Sequence, residues 1–136
     1  MTGVERALTR LVQAQGIIVL LALPAALMPT AWMDATHAAL GLGELPRGPI
    51  VEYLTRSLSA LYAGWGVILL FLARDVRRYA PLLVLLAILG IVFGLGMLAL
   101  DLWAGMPTPW TAFECPFILL VSAAQYLLAR RVMAEG

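Results

Sequence analysis

Apolar residues run almost unbroken through four stretches of the chain, residues 11–28, 54–73, 82–100 and 110–128, and polar residues gather between them. Each stretch supplies close to the roughly 20 apolar residues with which a helix crosses a bilayer core. The pattern predicts an all-α protein: an integral membrane four-helix bundle in a single domain over residues 1–136. Pro81, just ahead of the third stretch, suits a first helical turn, where a missing N–H costs nothing. Arg6 and Arg10 precede the first stretch as they would in a signal peptide, but no small-x-small cleavage pattern follows, so this stretch reads as an uncleaved span.

The segment between the first two spans, residues 29–53, is too long for a turn. Thr30 followed by an apolar-polar mixture up to Leu40 and then Gly41 reads as a capped helix that ends at glycine. Trp32, Ala35 and Ala39 adjoin Met33, His37 and Leu40 on its surface, which predicts a short extracytoplasmic amphipathic helix lidding the bundle.

Composition strengthens the membrane reading. The 136 residues are 62% apolar with mean hydropathy +0.93, against roughly 45–50% apolar usage in soluble domains. All nine cations are arginine, and seven of them (Arg6, Arg10, Arg74, Arg77, Arg78, Arg130, Arg131) fall on one side of the four spans. Short arginine-rich segments stay in the cytoplasm, so both termini are expected there, with the chain in the inner (plasma) membrane of the cell. Trp32, Tyr53, Trp103 and Trp110 would mark the outer interface, and Tyr79 and Tyr126 the inner one. A net charge of +1 argues against a nucleic-acid partner. A single cysteine, Cys115, rules out an internal disulfide or a Cys-x-x-Cys pair.

Helices in lipid approach closely through small residues. Gly90 and Gly94 form a GxxxG face on span three, and Ala60, Ala63 and Gly64 offer a compatible face on span two, so these two spans are expected to pack together. Homodimerisation through the same glycines is the other reading. Pro24 and Pro116 lie inside spans one and four, where each frees the carbonyl four residues earlier, Leu20 and Ala112, and should kink its helix.

Three ionisable residues carry the candidate chemistry. At about 1.5 Å per residue, Glu114 lies roughly 6 Å inside Trp110, Arg56 roughly 3 Å inside Leu54, and Asp101 at the end of span three. Asp101 follows Gly90, Gly94 and Met97 on one helix face and should point inward. Glu114 shares a stripe with Ile118, Val121 and Gln125. The expectation is an outer-leaflet cluster of Arg56, Asp101 and Glu114, with Glu52, Ser59, Tyr62, Thr111 and His37 nearby. It serves either as a structural ion pair, helped by Glu52 four residues before Arg56, or as a ligand-binding or catalytic site. Asp34-x-x-His37 is the one spacing suggestive of metal, and it falls short of the three protein ligands of a catalytic zinc. No metal site and no cofactor is therefore expected, Cys115 reads as inert packing, and Gln13, Gln15 and Gln125 read as interhelical hydrogen-bonding groups.

The strings HAALGLGELPRGPIVEYLTRSLSALY (37–62) and DLWAGMPTPWTAFECP (101–116) resemble short bacterial membrane proteins with four spans, the BphX-like group. The resemblance implies the four-span fold but no established activity; where that group suggests an acid-glycine-proline run, this chain has Glu114-Cys115-Pro116. The expected function is non-catalytic: binding of a lipid or small amphiphile, or an accessory role, with membrane lipids as partners and a homo-oligomer or membrane-protein partner as further options. The alternatives are an enzyme acting on a lipid-like substrate through Glu114 and Asp101, and an oligomeric transporter subunit. The transporter ranks below the others because Glu114 sits near one surface rather than at midplane.

Overall fold

The structure, a computed structural model, describes residues 1–135. Among them there is no strand, and six helices follow in order: α1 (Gly3–Leu20), α2 (Leu23–Leu27), α3 (Thr30–Ala39), α4 (Pro49–Leu72), α5 (Ala80–Ala104) and α6 (Thr108–Ala134). Four helical segments are long and apolar enough to cross a membrane: Gly3–Leu27, Pro49–Leu72, Ala80–Ala104 and Thr108–Ala134. They contain the four predicted stretches almost whole and overrun most of their ends. Hydropathy marks the part inside the bilayer, while backbone hydrogen bonding carries the helix on through polar flanks. Large apolar side chains such as Leu85, Leu102, Phe113 and Leu120 stand exposed on α5 and α6, the surface that lipid tails require.

The chain divides into two compact units, one formed by Met1–Gln13 with the chain from Phe71 on, the other by Ala14–Leu70. In the first unit α5 and α6 pack antiparallel along their length. A Cβ placed on Gly90 would strike the Ser122 side chain, and one on Gly94 would come within 2.9–3.1 Å of Leu119 and Ile118. The GxxxG face thus seats span four, where the sequence paired it with span two. The connection from α5 to α6 is short, residues 105–107, and sets these two helices side by side. Deeper in the pair, the Gln125 amide donates to the Leu83 carbonyl at 2.8 Å, both residues being buried.

At the other end of this unit Thr2 and Glu5 form a reciprocal cap on α1: the Thr2 N–H donates to the Glu5 carboxylate and the Glu5 N–H to the Thr2 hydroxyl. The same carboxylate, only 6% exposed, pairs with the Arg77 guanidinium from the α4–α5 connection. Glu5→Gln should lower the thermal midpoint in detergent. Because the Arg77 side chain is 52% exposed, the gap to wild type should narrow as salt rises. Midpoints measured at low and high salt check both.

The second unit holds the proline break. Leu21 and Ala22 form a turn between α1 and α2, immediately before Pro24, as the missing donor predicts. Gly16 and Gly66 bring α1 and α4 into backbone contact: a Cβ on Gly66 would lie 2.7 Å from the Gly16 carbonyl oxygen and 2.8 Å from the Leu20 nitrogen. Gly64, grouped with the packing glycines in the sequence, has open space where its Cβ would be. Helix α3 starts at Thr30 itself, with Pro29 as the flanking residue and no side-chain cap. The Thr30 hydroxyl is not available to cap because it is engaged elsewhere. The helix does end as expected, at Gly41, whose φ of 74° suits glycine.

Candidate functional site

The last turn of α5 and the first two turns of α6 build the site of the first unit. Helix α5 stops at Gly105, in the left-handed region at φ 67°, and the Asp101 carbonyl receives the N–H groups of both Gly105 and Met106. This tight closure, followed by Pro107 ahead of α6 and a proline in its first turn, folds the chain back within three residues. Asp101 therefore faces α6 and is 3% exposed, inward-pointing as its place on the glycine face predicts. Opposite it stand Cys115, 1% exposed, and the half-buried Glu114. One donor atom from each of Asp101, Glu114 and Cys115 lies within 4.8 Å of the others.

The polar contacts in this trio are few. The Cys115 thiol donates to Asp101 Oδ2 across 3.7 Å. Trp110 Nε1–H donates to Glu114 Oε2 at 2.9 Å. Trp110, read in the sequence as an interface marker, also orients the carboxylate one helical turn on.

Against the trio lies a groove of about 290 Å³, lined by Leu98, Leu102 and Met106 from α5 and its end, and by Thr108, Thr111, Ala112, Cys115, Pro116 and Leu119 from α6. Most of these residues are apolar, the exceptions being Thr108, Thr111 and Cys115, and Pro116 deprives the Ala112 carbonyl of its helical donor. Thr111 belongs to the groove, and Glu114 is absent from its lining.

Arg56 has its partners within the second unit. Its guanidinium donates to the carbonyls of Ala26 (3.1 Å) and Met28 (2.9 Å) and to the Thr30 hydroxyl (3.3 Å). The reason is local. Helix α2 lasts five residues and Pro29 follows it, so backbone N–H groups are missing where these carbonyls would find them. The Thr30 hydroxyl in turn donates to Glu52 at 3.1 Å, so Glu52 and Arg56 meet through it. Among the described residues the ion pairs are those of Glu5 with Arg77 and the Met1 amine, and of Asp34 with Arg47. Arg56, Asp101 and Glu114 enter none of them. Ser59 is half-buried and Tyr62 exposed, and neither adds a side-chain hydrogen bond among the described residues.

His37 and Asp34 secure the loop after α3. His37 Nδ1 lies 3.0 Å from the Gly43 carbonyl, and Asp34 accepts from the Leu45 N–H at 3.0 Å and meets Arg47 at 3.6 Å. Cys115 is the functional candidate that the sequence reading passed over. The signal was present in its adjacency to Glu114, but fourteen residues separate it from Asp101, and only the closed turn brings them together. No protein-family model, curated protein or solved structure matches the chain.

Proposed function

We propose that the protein is a multi-pass inner-membrane protein that holds an acyl chain of a lipid or a comparable small amphiphile in the groove between α5 and α6. The arginine distribution supports cytoplasmic termini, which places the α5–α6 turn and the groove at the outer leaflet. The observation that carries the reading is the groove itself: about 290 Å³ of space lined mostly by apolar residues, with Thr108, Thr111 and Cys115 among them. Small-molecule sites have this make-up, and their volumes begin at roughly 300 Å³. The size suits one acyl segment rather than a whole two-chain lipid, with the polar end of the amphiphile turned toward Thr108 and Thr111.

Native mass spectrometry after release from mild detergent tests this directly. Wild type should carry a bound mass that survives mild activation. Ala112→Trp, which fills the groove from an exposed position on its wall, should lose that mass while keeping its helical circular dichroism. Equal retention in both proteins, or no adduct in wild type, would remove the groove from the account.

A further inference from the structure

We propose that Asp101, Glu114 and Cys115 form a three-ligand site for a divalent metal ion of borderline softness, of which zinc is the type. The proposal concerns side chains beside the groove and does not depend on what the groove holds.

Three features carry it. The first is convergence: one donor atom from each residue lies within 4.8 Å of the other two. Two ligands of a tetrahedral zinc, at about 2.3 Å for sulfur and about 2.1 Å for oxygen, stand about 3.6 Å apart. The Cys115 sulfur and Asp101 Oδ2 are 3.7 Å apart, so these two need almost no movement to share an ion. Glu114 completes the set by rotation of its carboxyl group, and the Trp110 N–H on its Oε2 is the kind of outer-shell donor that orients a metal-binding carboxylate.

The second feature is charge. Asp101 is 97% buried, and its side chain has no hydrogen-bond donor outside the trio among the described residues. No arginine, histidine or amino group pairs with it or with Glu114 among those residues. A carboxylate at the end of a spanning helix is costly without a counter-charge, and a second carboxylate beside it adds repulsion. A dication removes both costs, whereas the thiol contact alone removes neither. Metal binding displaces the thiol hydrogen, which leaves as a proton to solvent while sulfur donates its electron pair to the ion.

The third is donor type and access. One thiolate with two carboxylates favours zinc over magnesium or calcium, which take oxygen ligands only. Of the three, Cys115 alone lines the groove, so an ion bound to it is reached from that side. Three protein ligands and one open position distinguish reactive zinc sites from closed structural ones.

The test uses untagged protein in mild detergent, stripped with a chelator and titrated with Zn²⁺ and, separately, Co²⁺. Wild type is expected to bind one ion per chain, and the cobalt form to show thiolate-to-metal charge-transfer absorption with the intense visible bands of tetrahedral coordination. Cys115→Ser should abolish the charge-transfer band. Asp101→Asn should keep that band at high cobalt but weaken Zn²⁺ binding by more than the 10–100-fold typical of losing an outer-shell partner. His37→Ala, which removes the sole histidine, should bind as wild type does. Should Cys115→Ser fail to fold by circular dichroism, the wild-type cobalt spectrum decides alone. The proposal is overturned by absence of stoichiometric binding in folded wild type, or by a cobalt spectrum without the thiolate band. It is equally overturned if binding survives Cys115→Ser and vanishes in His37→Ala.

Discussion

Arg56→Met is expected to destabilise the protein by about 2–3 kcal/mol, read as a lower midpoint in a titration from mild detergent into denaturing detergent. Two charge-assisted hydrogen bonds run from Arg56 to the Ala26 and Met28 carbonyls, and a third to the Thr30 hydroxyl. Hydrogen bonds to charged groups contribute about 1.5–3 kcal/mol each. The half-buried position of Arg56 and the modest worth of polar contacts measured in membrane proteins hold the total for all three contacts to about what one such bond contributes. Methionine keeps the bulk of the stem and removes only the donors, so the loss reports the polar role. Arg56→Lys should recover part of it, since one ammonium can serve one carbonyl but lacks the planar fork that reaches three acceptors. Were the residue merely a member of a surface charge pattern, both variants would sit within about 0.5 kcal/mol of wild type.

Why the sequence led toward an ion pair for Arg56, and the structure toward backbone capping, can be traced to Pro24 and Pro29. Depth and helical face are one-dimensional properties: they put Arg56 near the outer end of its span and leave its partner open. The choice of partner depends on which acceptors the neighbouring chain leaves free. Pro24 advertised a kink, and the carbonyl it frees, Leu20, was legible. The carbonyls Arg56 takes up are instead those of Ala26 and Met28, left open because α2 is only five residues long and Pro29 follows. The four spans themselves were legible because bilayer thickness demands the same apolar length from any sequence.

Asp101 shows the same division. Its inward orientation followed from the spacing to Gly90 and Gly94, and it is buried. Its nearest thiol could not be read, because the registration of α5 against α6 is fixed by the left-handed Gly105 and by Ser122, Leu119 and Ile118 entering the glycine groove. None of these pairings has a sequence period. The Glu5–Arg77 pair, 72 residues apart in the chain, is invisible for the same reason, although the Thr2-x-x-Glu5 cap that holds the carboxylate is a recognisable local pattern.

The glycines of α4 supply the sharpest contrast in expected effect. Gly66→Val should cost about 3 kcal/mol or more in the same denaturing-detergent titration, and Gly66→Ala should already be destabilising. The first atom added at position 66 arrives 2.7 Å from a carbonyl oxygen and 2.8 Å from a backbone nitrogen of α1. Backbone cannot rotate aside as a side chain can, so the helices must separate, and the loss exceeds the roughly 1–3 kcal/mol of ordinary overpacking. Two residues earlier on the same helix, a Cβ at Gly64 meets nothing within 4 Å. Gly64→Ala should therefore be neutral or stabilising by up to about 1 kcal/mol, the helix-propensity difference between the two residues. Opposite signs for one substitution at two nearby glycines would identify Gly66 as the contact that sets the α1–α4 distance. A comparable loss at both positions would instead mean that Gly64 meets a surface of its own, such as a second copy of the chain, and the two variants would then separate in their concentration dependence.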